Sequence, residues 1–288
     1  MFKDCDYFRT SGNDFYIAKG YTHPEGGVFS THTFEPSFEG DRINKNGLTY
    51  QKVIEDRIKT IPSREIVEVF KPEGAEIKKQ LEGEWQQIYM CFLEMGIEEE
   101  NIGIFGSSLI GFPLKKDIDF IVYGMKNRNV LKENMTELKR KLGFTDITDD
   151  HIRYQTAKNS KFHNPSFTNF SETLKNKWSS IQIRPGILTT VRFGFRNNDL
   201  PSELEFFPQE TEEGVIQNGV VVNDGYVDFT PRVFQIENFD KQAFWVKTLF
   251  WMYQSCVREG DKVCVRGTKT SPGVIGLIDQ KAGVTILK

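Results

Sequence analysis

Cross-linking chemistry is scarce in this chain. Its 288 residues contain four cysteines, Cys5, Cys91, Cys256 and Cys264, set far apart and without a C-x-x-C pair. That spacing argues against a disulfide scaffold and a zinc knuckle, and makes a reducing cytoplasm the expected compartment. Four histidines are too few for a histidine-rich metal site. Cys5, His23 and His32 have no metal-ligand spacing and read as structural residues. No run of about 18 apolar residues occurs, so no membrane-spanning helix and no membrane partner are expected. The opening residues, with Lys3, Asp4 and Asp6 among single aromatics, lack the apolar stretch of a signal peptide. Internal repeats and low-complexity tracts are missing as well, which argues against solenoid and fibrous architectures.

Charge of one sign does not dominate. Lys plus Arg is 37 and Asp plus Glu is 40, a net charge of −3 that does not announce a nucleic-acid binder. The distribution is uneven, however. Residues 151–200 carry Arg153, Lys158, Lys161, Lys175, Lys177, Arg184, Arg192 and Arg196 against only Glu172 and Asp199. Residues 201–240 carry Arg232 alone against a run of acids, and residues 241–288 are basic again. Basic blocks flanking an acidic one fit a polyanion track beside a metal-binding pocket; solvated loops and helix faces produce the same pattern.

At about 150 residues per domain, the length suggests roughly two domains. Residues 1–70 read as a β-rich segment in which Phe15–Ala18 and Gly27–Phe29 are separated by turn sequences. After Pro72, the positions Ile77, Leu81, Trp85, Ile88, Phe92 and Met95 recur at helical spacing, and Gly96 ends the pattern. Ile102–Phe105 and Asp117–Tyr123 read as strands. Leu131, Met135, Leu138 and Leu142 mark a second amphipathic helix, closed by Gly143. The polar stretch 155–180 reads as a long functional loop or a poorly ordered insertion, and strand-like sequence returns at Thr189–Phe195 and Leu204–Phe207. Beyond residue 211 the pattern is mostly short strands, including Val220–Val222, Lys262–Arg266 and Val284–Leu287, with Gln242–Val257 reading as a helix. The expected organisation is a β-rich segment over 1–70, a catalytic domain over 71–210, and a small β-barrel-like, OB-like domain over 211–288.

The segment that carries chemistry runs from Ile104 to Val122. An apolar strand enters Gly106-Ser107, a turn or short helix follows, and nine residues after Ser107 comes Asp117-Ile118-Asp119 in a second strand. On a strand the two aspartates share a face, with Cα atoms about 6.6 Å apart, while Ile118 and Phe120 point into the core. Their carboxylates can then converge on two divalent ions about 3.5–4 Å apart, as in phosphoryl transfer. Neighbouring carboxylates on a buried strand need a cation, and Mg²⁺, with Mn²⁺ as a substitute, suits oxygen donors. Gly106 permits close backbone approach to a ligand. Ser107, Ser108 and the adjacent amides can donate to phosphate oxygens, and Lys116 or Lys115 can add positive charge. The bland alternative is a wet acidic strand after an ordinary glycine turn.

Phe105, Gly106, Ser107, Asp117, Ile118, Asp119 and Phe120 together resemble the signature of the DNA polymerase β-type nucleotidyltransferase superfamily. That signature is an apolar residue, Gly, Gly or Ser, a spacer, then acid–apolar–acid. Lys116 departs from it, because many members have Ser before the first Asp. The Asp4-Cys5-Asp6-Tyr7 opening, Val122-Tyr123-Gly124, Phe229-Thr230-Pro231 and the closing Arg258–Asp261 and Val265–Thr268 make the layout similar to predicted nucleotidyltransferases of archaeal type. The resemblance implies an α+β fold with a mixed sheet and flanking helices. It also implies Mg²⁺-dependent attack of a hydroxyl on the α-phosphate of an NTP, with pyrophosphate released. Asp117 and Asp119 would hold the metals. A third carboxylate is expected on a neighbouring strand, with Glu205 the first candidate and Glu203 the second.

Arg192 reads either as a phosphate or base contact or as a surface arginine. Phe162, Phe167, Phe170 and Trp178 beside Lys158, Lys161 and Lys175 suit single-stranded RNA or a nucleobase, and equally suit packing under a loop. The expected activity is transfer of a nucleoside monophosphate from an NTP to a hydroxyl, with an RNA 3′ end favoured over a protein or a small molecule. A binding module without turnover and a component of a defence complex are the alternatives.

Overall fold

The computed structural model describes residues 2–40, 42–43, 47–53, 57–112, 118–161, 170–196, 200–206, 214–279 and 281–287. The fold is mixed α+β with strands predominating. Two compact units divide the chain. One comprises Met1–Ile147 and Ser179–Leu200, the other Thr148–Trp178 and Pro201–Lys288.

In the first unit the N-terminal strands are β1 (Tyr7–Thr10), β2 (Phe15–Ala18), β3 (Gly27–Pro36), β4 (Arg42–Ile43), β5 (Thr49–Lys52), β6 (Lys59–Pro62) and β7 (Ile66–Phe70). They form an antiparallel sheet in the order β4-β5-β3-β2-β1-β7, with β6 also on β3. The ten residues of β3 give their first part to β6 and their last to β5, and the sheet curls accordingly. Side chains alternate between two buried sets: Tyr7, Phe15, Ile17, Phe34 and Tyr50 on one face, Phe8, Ala18, Val28 and Ile61 on the other.

The unit continues with helices α1 (Ala75–Lys78) and α2 (Gly83–Glu94), strands β8 (Ile102–Phe105) and β9 (Asp119–Tyr123), helix α3 (Met125–Leu142), and strands β10 (Ser180–Arg184) and β11 (Ile187–Gly194). The single helix expected after Pro72 is thus two, split before Gly83, which has a φ of 59° that a continuous helix excludes. Helix α3 ends as expected, on Gly143 in the left-handed conformation. The strands form a mixed sheet in the order β10-β11-β9-β8, with β9 and β11 parallel and the other pairs antiparallel. Strand β9 alternates strictly. Phe120 packs edge-on against Phe92 of α2, with ring centroids 5.5 Å apart. Ile121 and Tyr123 join Phe105, Ile110 and Phe112 against the first face of the curled sheet. Asp119 shares the face of Ile121, so the curled sheet covers the side on which the acid stands.

The second unit has helices α4 (Asp149–Asn159) and α5 (Phe170–Lys175), so the end of α4 and all of α5 are helical within the stretch 155–180 read as a loop or insertion. Thr148 caps α4, accepting from the His151 amide, and Asp149 and Asp150 sit in the first turn, a start signal that the polar composition masked. Phe162 and Phe167 lie outside the described residues. Phe170 is buried in α5 and Trp178 is half-buried.

The remaining strands are β12 (Gly214–Tyr226), β13 (Arg232–Glu237), β14 (Ala243–Thr248), β15 (Lys262–Ser271), β16 (Val274–Gly276) and β17 (Gly283–Ile286). Strand β12 pairs with β15 over Gly214–Val220 and with β13 over Val220–Tyr226, which closes β12-β13-β14-β16-β15 into a five-stranded barrel. Val221, Val233, Ile236, Val246, Val263, Val265 and Ile275 are buried in it. The helix expected over Gln242–Val257 is instead strand β14 followed by a 3-10 turn at Trp251–Tyr253. Phe244, Trp245, Val246 and Thr248 are aromatic or β-branched, and pairing with β13 overrides the helical spacing of the apolar positions. Among the described residues, no helix is long and apolar enough to cross a membrane.

Candidate active site at the Gly106 turn

The first unit brings together one half of the expected acid pair and the glycine turn. Phe105, the last residue of β8, lies opposite Asp119, the first of β9, so the chain leaves β8 beside the acid. Gly106 has a φ of 91°, a conformation that a side chain resists, and a Cβ built there would stand 3.7 Å from Asp119 Oδ2. Over the described residues that immediately follow Ser107, no helix forms. Residues 106–112 instead form consecutive tight turns, with Leu109 donating to the Gly106 carbonyl, Gly111 to Ser108 and Phe112 to Ser107. Ser107 is half-buried. Ser108 is buried, and its hydroxyl has no hydrogen-bond partner among the described residues. Asp117, Lys115 and Lys116 lie outside the described residues. Ile118 and Phe120, the apolar neighbours of Asp119, are buried as the alternation requires.

Asp119 is tied to β11 rather than left as a wet surface acid. Its Oδ1 accepts from the Thr190 amide at 3.0 Å. Arg192, two residues further along β11, turns its guanidinium over the Phe105 ring at 4.5 Å and donates to Cys5 Sγ at 3.6 Å. Burial opposes its charge, but Cys5, Asp4 and Asp119 outweigh that and raise the pKa of Arg192, so it stays a cation. The reading of Arg192 as a surface arginine is therefore corrected. It is an inward-facing residue of a parallel strand with an acid across the ladder.

The N-terminal turn supplies the rest of this cluster. Asp4 is buried and accepts from the Gly20 amide at 3.2 Å and from the Cys5 thiol at 3.3 Å. Cys5 holds a φ of 71° despite its side chain. Burial, reinforced by Asp4, pushes its thiol up to about 12, so it is no nucleophile. Tyr7, raised by burial, feels Arg192, Cys5 and Asp119. Sequence reasoning missed these roles. The signal present was an opening with alternate acids, Asp4-Cys5-Asp6-Tyr7, whose buried acids need nearby partners.

Glu203 and Glu205 belong to the second unit. The strand expected at Leu204–Phe207 is not formed over the described residues. Ser202–Leu204 is a 3-10 turn following Pro201, whose ring fixes φ and removes a ladder donor. Glu205 ends that turn with an exposed side chain, and its carbonyl accepts from Lys247 Nζ at 2.9 Å. Over the described residues, strands β8, β10 and β11 contain neither Asp nor Glu, so within those bounds the strands beside β9 offer no third carboxylate.

No protein-family model matches the chain, and comparisons with curated proteins and with solved structures likewise found no match.

Proposed function

We propose that the protein is a nucleotidyltransferase that moves a nucleoside monophosphate from an NTP to a hydroxyl, with the NTP phosphates held at the Gly106 turn. The observation that carries this reading is Asp119 Oδ2 facing the positive-φ Gly106 at the point where β8 gives way to β9. A mixed sheet of β8, β9 and β11 flanked by α2 and α3 supports a nucleotidyltransferase-type core.

The donor set at the turn fits Mg²⁺. Asp119 directs a carboxylate oxygen to the turn, a donor this hard ion prefers. Asp119, with Asp117, would hold the ion, which when bound neutralises charge developing on the phosphates. The chain's own residues do the rest. The amides and hydroxyls of Ser107 and Ser108 donate to β- and γ-phosphate oxygens. Arg192, kept charged in a buried setting, offsets negative charge beside Asp119. Catalysis on this reading is positioning and charge neutralisation.

An RNA hydroxyl is the favoured acceptor. The closed barrel runs β12-β13-β14-β16-β15 and back to β12, with β14 and β16 parallel. That strand order supports an OB-like barrel, a platform for single-stranded nucleic acid. Protein and small-molecule hydroxyls are the competing acceptors.

A second reading, a nucleotide- or RNA-binding module without turnover, is favoured by one observation. A cation, Arg192, rather than a third carboxylate, lies on the strand beside Asp119. Incubation with each α-labelled NTP, Mg²⁺ or Mn²⁺ and total RNA separates the two. Label transferred to RNA with pyrophosphate released supports the enzyme; NTP bound but never consumed, across RNA, protein and small-molecule acceptors, supports the module.

A further inference from the structure

A second polar cluster, in the curled sheet, is built by a fault in strand register. Phe15 of β2 faces Phe34 of β3, but the next residue, Tyr16, faces His32, which leaves Thr33 as the extra residue of a β-bulge. In an unbroken strand residues 32 and 35 would point to opposite faces. The bulge resets the alternation. His32, Glu35 and Asp14, the residue before β2, now bring ligand atoms within 4.8 Å of one another. This is why their separation in sequence hid the grouping.

The cluster is not a satisfied ion pair. His32 Nε2 stands 3.4 Å from an Asp14 carboxylate oxygen, yet it is buried and makes no hydrogen bond among the described residues. Its ring is fixed by stacking on Tyr16, with centroids 4.6 Å apart. The Gln51 side-chain amide donates to Glu35 and orients it. An imidazole nitrogen and two carboxylates, held by neighbours, form a borderline-hard donor set suited to first-row divalent cations. A tetrahedral set with bonds of 2.0–2.1 Å has edges of about 3.3–3.4 Å, the separation found between His32 and Asp14.

We propose that Asp14, His32 and Glu35 form a three-ligand site for a divalent transition metal, Zn²⁺ foremost, distinct from the Gly106 turn. Asp14, about one-third exposed, gives the ion its route from solvent and leaves a further coordination position open to water or a ligand.

The test uses the full-length protein, stripped by chelation and equilibrated with Zn²⁺ at tens of micromolar. One equivalent should survive gel filtration when counted by mass spectrometry, and Co²⁺ in its place should give visible absorption bands of a low-coordinate site. His32→Gln and Glu35→Gln should each weaken Zn²⁺ binding at least tenfold, and Gln51→Ala by a smaller factor. Asp119→Asn should keep the equivalent, which separates this site from the proposed Mg²⁺ site. Far-UV circular dichroism checks that each variant is folded, and Glu35→Gln carries the test if His32→Gln is not. A wild-type protein that retains no Zn²⁺, or a folded Glu35→Gln variant that retains all of it, overturns the proposal.

Discussion

Two segments of this chain look alike as sequence, Ile118-Asp119-Phe120 and Leu204-Glu205-Phe206, each an acid between apolar residues. They have different fates. Asp119 opens a strand paired on both sides, with its carboxylate bonded to β11 and facing a glycine turn. Glu205 ends a 3-10 turn with its carboxylate exposed, although Leu204 and Phe206 are as buried as their counterparts. Alternation buries the apolar residues in both cases. Only ladder partners on both sides aim the acid, and Pro201 forestalls them in the second segment.

The comparison is sharpest where the two segments should agree. Phe120→Ala and Leu204→Ala, both at fully buried positions, should cost about 3–5 and 2–5 kcal/mol respectively in urea denaturation. A negligible cost at Leu204 would mean that the turn is not anchored as described.

The acids of the first unit should next separate from those of the turn by pH. Asp6 is buried beside Lys3, Lys71 and Glu73, and burial pushes its carboxyl up to about 6, partly offset by the Lys3 amide and Lys71. A carboxyl whose pKa is raised on folding favours the native state at low pH, and that contribution is lost as pH rises through about 6. Wild type should therefore lose on the order of 2–3 kcal/mol relative to Asp6→Asn between pH 4 and pH 7. Parallel stability curves for the two proteins would contradict the buried charge.

Gly106→Val should destabilise by about 1–3 kcal/mol from the forced φ rather than from collision, since the added Cβ meets Asp119 only at ordinary contact distance. Thermal unfolding of Gly106→Val against Gly186→Val, at another positive-φ glycine, tests whether the turn bears an extra cost from the acid. The smallest effects concern the acids themselves. Asp119→Asn, which weakens an acceptor for the Thr190 amide, should cost about 1 kcal/mol. Glu205→Gln should stay within about 0.5 kcal/mol of wild type.

Much of the mixed sheet was legible because its signals are local and agree: β8 and β9 are short apolar runs, and the stripe of α3 stops at a left-handed glycine. Parts of β12, β15 and β17 were legible for the same reason. What failed depended on partners distant in sequence. The aromatic positions of β14 also fit a helix, and only pairing with β13 decides between them. Arg192 seemed a surface residue because its partners, Cys5 and Asp4, are almost two hundred positions away. His32 and Glu35 share a face only through the bulge at Thr33, which alternation cannot reveal.

The central proposal is that Asp119 serves chemistry at the Gly106 turn. Pyrophosphate release from α-labelled NTP with Mg²⁺ and RNA, measured for wild type, Asp119→Asn and folded controls, tests it directly. The account predicts turnover in wild type and a loss of about a thousandfold or more in Asp119→Asn. Undiminished turnover in Asp119→Asn would contradict it.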